Sequence, residues 1–523
     1  VNLVEVLARR AHELGERPAI VESRRGRDSA TSFAALEERS ARAAAALAAR
    51  GVARGAHVLF LAPMGADLYA WLLGALRLGA VAMFLDPSAG REQAARCLRR
   101  VAPRAFVGSP RAHLLRLVLP ELRRVPAPLC LGGWLPFTAS CVTAAAAARG
   151  QPEIAQCGEH DAALVTFTSG STGEPKAVVR SHGFLLAQHR VLEGALALRP
   201  GGRDLTTLPI FLLANLASGV TSVIPDADLR RPGRIDPGPV LAQLRRLAPE
   251  SCGAAPAFVE RLCQGCERAG GDLAPLKRLY VGGGPVFPNL IERARRLLAG
   301  GELVAVYGST EAEPIAHVAA GEIGAQDYAA MRSGGGLLAG APVAQIRVAI
   351  LANRWGEPIG PYREAAFAAE RLPPGGIGEI VVSGAHVVRG YLEGRGDAET
   401  KFEVDGVRWH RTGDLGRLDG AGRLWLLGRC SAATSDARGA LYPFAVECAA
   451  QQIPGVQRAA LALRGGRRIL AYEAADAGPR AHELEQALPW AQLDRVVKLA
   501  RIPLDARHNS KIDYAALAAA LDR

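Results

Sequence analysis

The feature that most constrains how this chain can fold is a recurring pair: a short apolar run followed at once by a glycine-rich turn. Residues 162–168 run into Ser169-Gly170-Ser171-Thr172-Gly173, residues 278–281 into Gly282-Gly283-Gly284-Pro285, and residues 304–307 into Gly308. Apolar runs of this length bounded by turn signals read as buried strands, and functional groups collect where such strands end. Helical spacing over residues 33–49, ending near Gly51, a strand over 57–61, a helix over 68–78 and a strand over 105–108 give the rhythm of an α/β domain. Further elements are predicted as a strand over 205–208 and a helix over 258–269. Residues 144–148, all alanine, read as helix or surface loop.

A chain of 523 residues exceeds what one hydrophobic core organises, so two or more domains are expected. From about Leu338 the texture changes to short strands, over 345–351, 378–383 and 423–427, set between Gly and Pro turns such as Asp419-Gly420-Ala421-Gly422. After Arg429 a compact α/β stretch follows, with strands over 456–463 and 469–473 and a helix over 481–488. The expected fold class is therefore α/β: a large N-terminal domain, residues 1–430, built of α/β subdomains plus a β-rich subdomain, and a small α/β C-terminal domain, residues 431–523. The junction falls at residues 429–431.

The net charge of +12 would suit nucleic acid if it were clustered, but the arginines are scattered, so no nucleic-acid partner is expected. Lys and Arg total 63, of which only Lys176, Lys277, Lys401, Lys498 and Lys511 are lysines, so a lysine in a polar loop is conspicuous. Arg, Gly or Pro interrupts every apolar stretch before about 18 residues, so no membrane span is expected. The apolar patch before Arg9 and Arg10 is too short for a secretory signal, and a cytoplasmic location is the expectation. Nine cysteines are too few for a disulfide framework in a chain this long. Cys263 and Cys266 form a C-x-x-C inside a helical pattern, with no second pair to complete a zinc site.

Five segments carry chemistry. In residues 168–176, Gly170 and Gly173 let the backbone approach closely, Thr168, Ser169, Ser171 and Thr172 offer hydroxyls, and Lys176 adds a cation; such a loop can wrap phosphate, although the Walker A spacing is absent. The others are Val306-Tyr307-Gly308-Ser309-Thr310-Glu311, Val281-Gly282-Gly283-Gly284-Pro285, His410-Arg411-Thr412-Gly413-Asp414-Leu415-Gly416 with Leu427-Gly428-Arg429, and the C-terminal stretch 503–513 containing Lys511. Each has a plain alternative when taken alone: a flexible turn, a solvated strand-end carboxylate, an Asp in a β-turn, a surface Lys before a helix. In this order and spacing they resemble the adenylate-forming superfamily of acyl-CoA synthetases, luciferases and peptide-synthetase adenylation domains, and the resemblance covers nearly the whole chain.

That resemblance implies an AMP-forming ligase that uses ATP and Mg²⁺ to join a carboxylic acid to AMP with release of pyrophosphate. It implies that Thr168 to Gly173 and Lys176 meet the phosphates, that Gly283 and Gly284 let backbone approach the purine, and that Tyr307 stacks on adenine beside Gly308 and Ser309. Thr310 touches phosphate, Glu311 holds Mg²⁺, Asp414 accepts both ribose hydroxyls, and Arg429 is the cation beside the nucleotide. Lys511, on a mobile C-terminal domain, bridges the α-phosphate and the acid. Phe211, Leu212 and Asn215, with Val281 and Gly282, lie where the family builds its acyl pocket. The physics agrees with this division: Mg²⁺ prefers carboxylate and phosphate oxygens, a carboxylate can bind a diol, and an ammonium offsets the negative charges that adenylation brings together.

Within the superfamily, Phe84-Leu85-Asp86-Pro87-Ser88, the stretch from Val223 through Pro232, and residues 505–511 look like the olefin β-lactone synthetase branch, whose members adenylate a 3-hydroxy fatty acid and let its own hydroxyl displace AMP. The hinge sequence after Arg429, Cys430-Ser431-Ala432-Ala433-Thr434, departs from that of CoA-using relatives. The residues leave the acceptor open between the internal hydroxyl, CoA, a carrier-protein thiol and an amine; a remote alternative is a nucleotide-binding protein without catalysis.

Overall fold

The computed structural model describes residues 1–85, 90–169, 175–475, 478–505 and 511–522. The chain divides into two compact units: residues 1–226 with 388–397, and residues 227–387 with 398–523.

The first unit contains a seven-stranded sheet in the spatial order Ala139–Ser140, Ala127–Cys130, Ala105–Gly108, His57–Leu61, Val81–Phe84, Ala162–Ser169 and Pro175–Ser181. All neighbours are parallel except the final hairpin, in which Thr168 faces Lys176. Strand residues alternate between the faces of a sheet, and here both faces are covered. Val58, Phe60, Ala82 and Val107 enter one core with the helices Phe33–Ala48 and Ala66–Arg77, while Leu59, Val81, Met83 and Phe106 enter another with Cys97 and Leu98 of the helix Gly90–Arg100. Burial on both sides explains why these strands read as continuous apolar runs. The same unit holds a second strand group in which Pro18–Arg24 pairs with both Arg27–Ser32 and Thr221–Ile224, and the latter with Arg203–Thr206. The strand expected over 205–208 thus lies two residues earlier. Leu208 is instead the extended residue before Pro209, which opens the helix Pro209–Ser218, and a residue preceding proline is steered away from α geometry.

The second unit is built on the parallel strands Ser251–Ala254, Arg278–Gly282 and Glu302–Ser309. The sheet then turns antiparallel through Ala312–Ala319, Leu337–Pro342, Leu424–Arg429, Val407–Leu418, Gly378–Ser383 and Arg347–Leu351. The change of texture near Leu338 is the point where the last antiparallel segments begin. The helices Pro237–Leu247, Pro256–Ala269 and Pro288–Leu297 each open on proline, whose missing N–H is one the first turn leaves unused. Cys263 and Cys266 lie on the second of these and are buried thiols, as are all nine cysteines. After Arg429 comes a separate three-stranded sheet of Val456–Arg464, Arg467–Ala474 and Arg495–Lys498. Ala459, Leu461, Leu470 and Tyr472 face one apolar cluster with Leu484, and Ala460 and Ala471 face another with Ile502 and Leu517, so this sheet too has a core on each side. No helix among the described residues is long and apolar enough to cross a membrane.

Candidate active site

The strand Glu302–Ser309 carries Tyr307 to the head of a hairpin whose turn is two residues, Thr310 and Glu311, closed by Ser309 opposite Ala312. The Glu311 amide donates to Ser309 Oγ at 3.3 Å. On the neighbouring strand Gly282 faces Val306, and a Cβ at Gly282 would meet the Val306 carbonyl oxygen at 2.8 Å, so the close approach at this strand end requires glycine.

Asp414 lies in the long strand Val407–Leu418 directly opposite Arg429 of Leu424–Arg429. Its carboxylate receives two groups: Tyr307 Oη donates to Oδ2 at 2.8 Å, and Arg429 Nη1 lies 3.2 Å from Oδ1. Burial and the adjoining carboxylate push the Tyr307 phenol well above its ordinary range, so it remains a donor. The Asp414 charge raises the Arg429 guanidinium against the opposing effect of burial, and Glu311 adds to the rise. Tyr307, Glu311, Asp414 and Arg429 therefore form one electrostatic cluster. A carboxylate has about four lone-pair positions, of which the phenol and guanidinium use two; the remaining two suit a vicinal diol.

What holds Asp414 in place was not legible from the motif. Thr412 Oγ1 accepts from the Asp414 amide at 3.1 Å and donates to the Ile380 carbonyl at 2.8 Å, tying the strand to its neighbour. Gly413 has φ +70, and its Cα is covered by the Trp355 indole, which a Cβ would meet at 2.9 Å. Arg411, 1 % exposed, donates to Glu379 Oε2 at 2.6 Å and to the Arg354 carbonyl at 2.7 Å, with Trp355 against its guanidinium. These partners are 32 and more residues away in sequence, so no local pattern announces them.

Lys511 lies in the C-terminal part of the same unit. Its amide donates to Asp505 Oδ1 at 2.9 Å, and its carbonyl accepts from the Asp505 amide at 2.8 Å, shortly before the helix Tyr514–Leu521 begins. Tyr514 Oη donates at 2.8 Å to Glu447 Oε1, which also accepts the Leu461 amide at 3.1 Å. Glu447, on the helix Pro443–Ala450, is fully buried, and burial pushes its carboxyl up to about 7. Burial and the Glu447 carboxyl push the Tyr514 hydroxyl well above its ordinary range, so it remains a donor. Glu447 and Tyr514 were not among the residues singled out from the sequence; a glutamate amid Phe, Ala, Val and Cys in 443–450 is the signal that could have found the first.

In the first unit, the loop expected to wrap phosphate falls on residues 170–174, outside the described residues, as do Asp86, Pro87 and Ser88. Thr168 and Ser169 end the strand that leads into that loop. Lys176, in the strand leading out, is half-buried, its ammonium 5.7 Å from the Tyr391 ring centre. Phe211, Leu212 and Asn215 are buried on the helix Pro209–Ser218. The Asn215 amide is spent on Asp204, Thr206 and Ser222, at 3.2, 3.0 and 3.1 Å, and so anchors this helix to two strands. In the second unit Val281 is fully buried, while Gly283 and Gly284 follow the strand end.

Among the described residues no group of three or more His, Cys, Asp or Glu could hold a metal ion. Glu311, with Glu313 two residues on, offers the sparse carboxylate donors that suit Mg²⁺ carried chiefly by phosphates and water rather than by a protein cage.

A family model described as AMP-binding enzyme matches residues 7–392. The chain is 33 % identical to the olefin beta-lactone synthetase of Stenotrophomonas maltophilia and 31 % identical to that of Xanthomonas campestris, each alignment covering 94 % of this chain and 91 % of the relative. Its fold matches the amide bond synthetase of Marinactinospora thermotolerans with a TM-score of 0.81, over the whole of both chains, at 22 % identity. Enzymes of this family use ATP with Mg²⁺ and act on small carboxylic acids. The chain belongs to the AMP-binding enzyme family and is an AMP-forming ligase of the adenylate-forming fold.

Proposed function

We propose that this enzyme adenylates a 3-hydroxy fatty acid and then closes it to a β-lactone. The observation that carries the reading is the likeness to two olefin beta-lactone synthetases along almost the full length of both partners. The departure of residues 430–434 from the hinge of CoA-using enzymes supports the same choice.

In the first step a carboxylate oxygen of the acid attacks the α-phosphorus of ATP, and the bond to the pyrophosphate oxygen breaks. Asp414 takes the ribose diol on its two unused lone-pair positions, with Tyr307 and Arg429 fixing the carboxylate plane and the Tyr307 ring meeting adenine. Thr310 donates to phosphate, as do Lys176 and the hydroxyls of residues 168–172. Glu311 would hold Mg²⁺, which neutralises charge on the departing pyrophosphate when bound. Lys511 bridges the α-phosphate and the acid, where two anions approach in the transition state. Residues 431–523 act as the mobile domain that delivers this lysine. In the second step the 3-hydroxyl oxygen attacks the acyl carbon, the bond to AMP breaks, and the hydroxyl proton passes to solvent. Attack within one bound molecule gains from proximity and needs no thiol. Nine cysteines that remain thiols suit a cytoplasmic setting for this chemistry.

Supplying the enzyme with ATP, Mg²⁺ and 3-hydroxy fatty acids of graded length tests the proposal. AMP and a lactone should form together without CoA. AMP release that requires CoA, a carrier-protein thiol or an amine would move the assignment to acyl transfer, and acyl-AMP that only hydrolyses would remove the second step.

A further inference from the structure

Ten large hydrophobic side chains are exposed among the described residues, and seven of them lie between residues 114 and 142 of the first unit. The most exposed are Phe137 at 90 %, Leu117 at 75 %, Val142 at 74 % and Trp134 at 67 %. Isolated exposed apolar residues are ordinary, but such a concentration marks a contact surface. These residues are held together. Trp134 and Val142 line one open groove. Arg116, one residue before Leu117, donates from Nη1 to the Phe137 carbonyl at 3.1 Å.

Phe137 is also placed at a conformational cost. The turn Leu135-Pro136-Phe137-Thr138 is closed by the Thr138 amide on the Leu135 carbonyl at 3.2 Å, and Thr138 Oγ1 donates to the same carbonyl at 2.7 Å. Phe137 has φ +61, in the left-handed region where a turn after proline ordinarily carries glycine. A large ring kept in that conformation and turned to solvent contributes nothing to the core, which points to a role outside the folded chain.

The segment that carries the patch is strongly basic. Residues 110–150 contain Arg111, Arg116, Arg123, Arg124 and Arg149 and a single acid, Glu121, which pairs with Arg99 at 2.6 Å. Exposed tryptophan, phenylalanine and aliphatic side chains on a segment rich in exposed arginine match the boundary of a lipid layer, with apolar groups entering at headgroup depth and guanidinium groups on phosphate.

We propose that this face docks reversibly on an anionic lipid bilayer, with Phe137, Trp134, Leu117 and Val142 inserted and the arginines on lipid phosphates. The docking does not depend on which acid the enzyme activates. It would put the enzyme at the surface where long-chain acids partition.

Cosedimentation of the full chain with vesicles tests it. The protein should bind equimolar phosphatidylcholine and phosphatidylglycerol, lose most of that binding in molar salt, and bind pure phosphatidylcholine weakly. Phe137→Ser and Trp134→Ser should each weaken binding by about tenfold, as expected for withdrawing one aromatic side chain from an apolar layer. Arg111, Arg123 and Arg124 changed together to Gln should weaken it by about a hundredfold at low salt. All of these side chains lie at the surface, and unchanged thermal midpoints would show that the variants fold. Equal binding by wild type and variants, or no binding at low salt, would overturn the proposal. So would a concentration-dependent dimer, seen in sedimentation velocity, that Phe137→Ser abolishes, because the occupant would then be a second copy.

Discussion

At the scale of single residues, the Asp414 carboxylate is the centre on which the nucleotide reading turns. Tyr307 and Arg429 already orient it, so replacing the carboxylate leaves a half-buried phenol and a cation with a weaker partner as well as losing the acceptor. Asp414→Asn should raise the KM for ATP in pyrophosphate exchange by about ten- to a hundredfold, in line with one charge-assisted hydrogen bond. An unchanged KM would separate Asp414 from nucleotide binding. Lys511 is a different case, because its proposed task exists only while charge accumulates. Lys511→Ala should lower the exchange rate by about a hundredfold or more while ATP binding, read by calorimetry, stays within a few-fold. Loss of binding and exchange in equal measure would mean that the lysine holds ATP rather than the transition state.

At the scale of elements, Glu447 joins the helix Pro443–Ala450, the strand Val456–Arg464 and the helix Tyr514–Leu521 that follows Lys511. Its Oε2 is buried without a hydrogen-bond partner. Its carboxyl is pushed up to about 7, above its unfolded value, so the folded state binds the proton more tightly. The stability this contributes is present in full below the unfolded pKa of about 4.3 and is lost as pH rises through about 7. The difference amounts to roughly 4 kcal/mol at most. Glu447→Gln keeps an acceptor for Tyr514 and Leu461 but carries no proton equilibrium. Urea midpoints between about pH 4.5 and pH 8 should fall less steeply for the variant than for the wild type; parallel slopes would sink the assignment. The strands His57–Leu61, Ala105–Gly108 and Gly378–Ser383 lie at their predicted bounds: the first two are short, mostly apolar runs ended by turn signals, and the third is recognisable from its Ile-Val-Val centre although it also buries Glu379. The strand Arg27–Ser32 was not foreseen: its sequence, Arg-Asp-Ser-Ala-Thr-Ser, is polar and largely exposed, and only pairing with Pro18–Arg24 makes it a strand. The turn at Thr310 and Glu311 gave no signal either, since it lacks the Gly or Asn that marks two-residue hairpins.

For the whole molecule, the fold class was legible because strand, turn and helix patterns recur over hundreds of residues. The candidate site was legible only in part. Motif order supplied Tyr307, Asp414 and Arg429, but their contacts and the Arg411–Glu379 support beneath them join segments that have no local relation. Movement of residues 431–523, proposed above, would involve the whole molecule. Protease cleavage within residues 429–440, located by mass spectrometry, should change in rate when ATP and a 3-hydroxy fatty acid are added together. An unaltered rate at a site that is cut would argue against a closing domain.

Every thiol in this enzyme is inside. Cys263 and Cys266 are pushed up to about 12 and about 11 by burial, and Cys141, Cys430 and Cys448 higher still, so at neutral pH none supplies an accessible thiolate. A chromogenic disulfide reagent added to the native protein would therefore report almost entirely on sulfhydryls supplied from outside. Consumption of CoA could be followed continuously against a silent protein background, so the question of the acyl acceptor is open to a spectrophotometer.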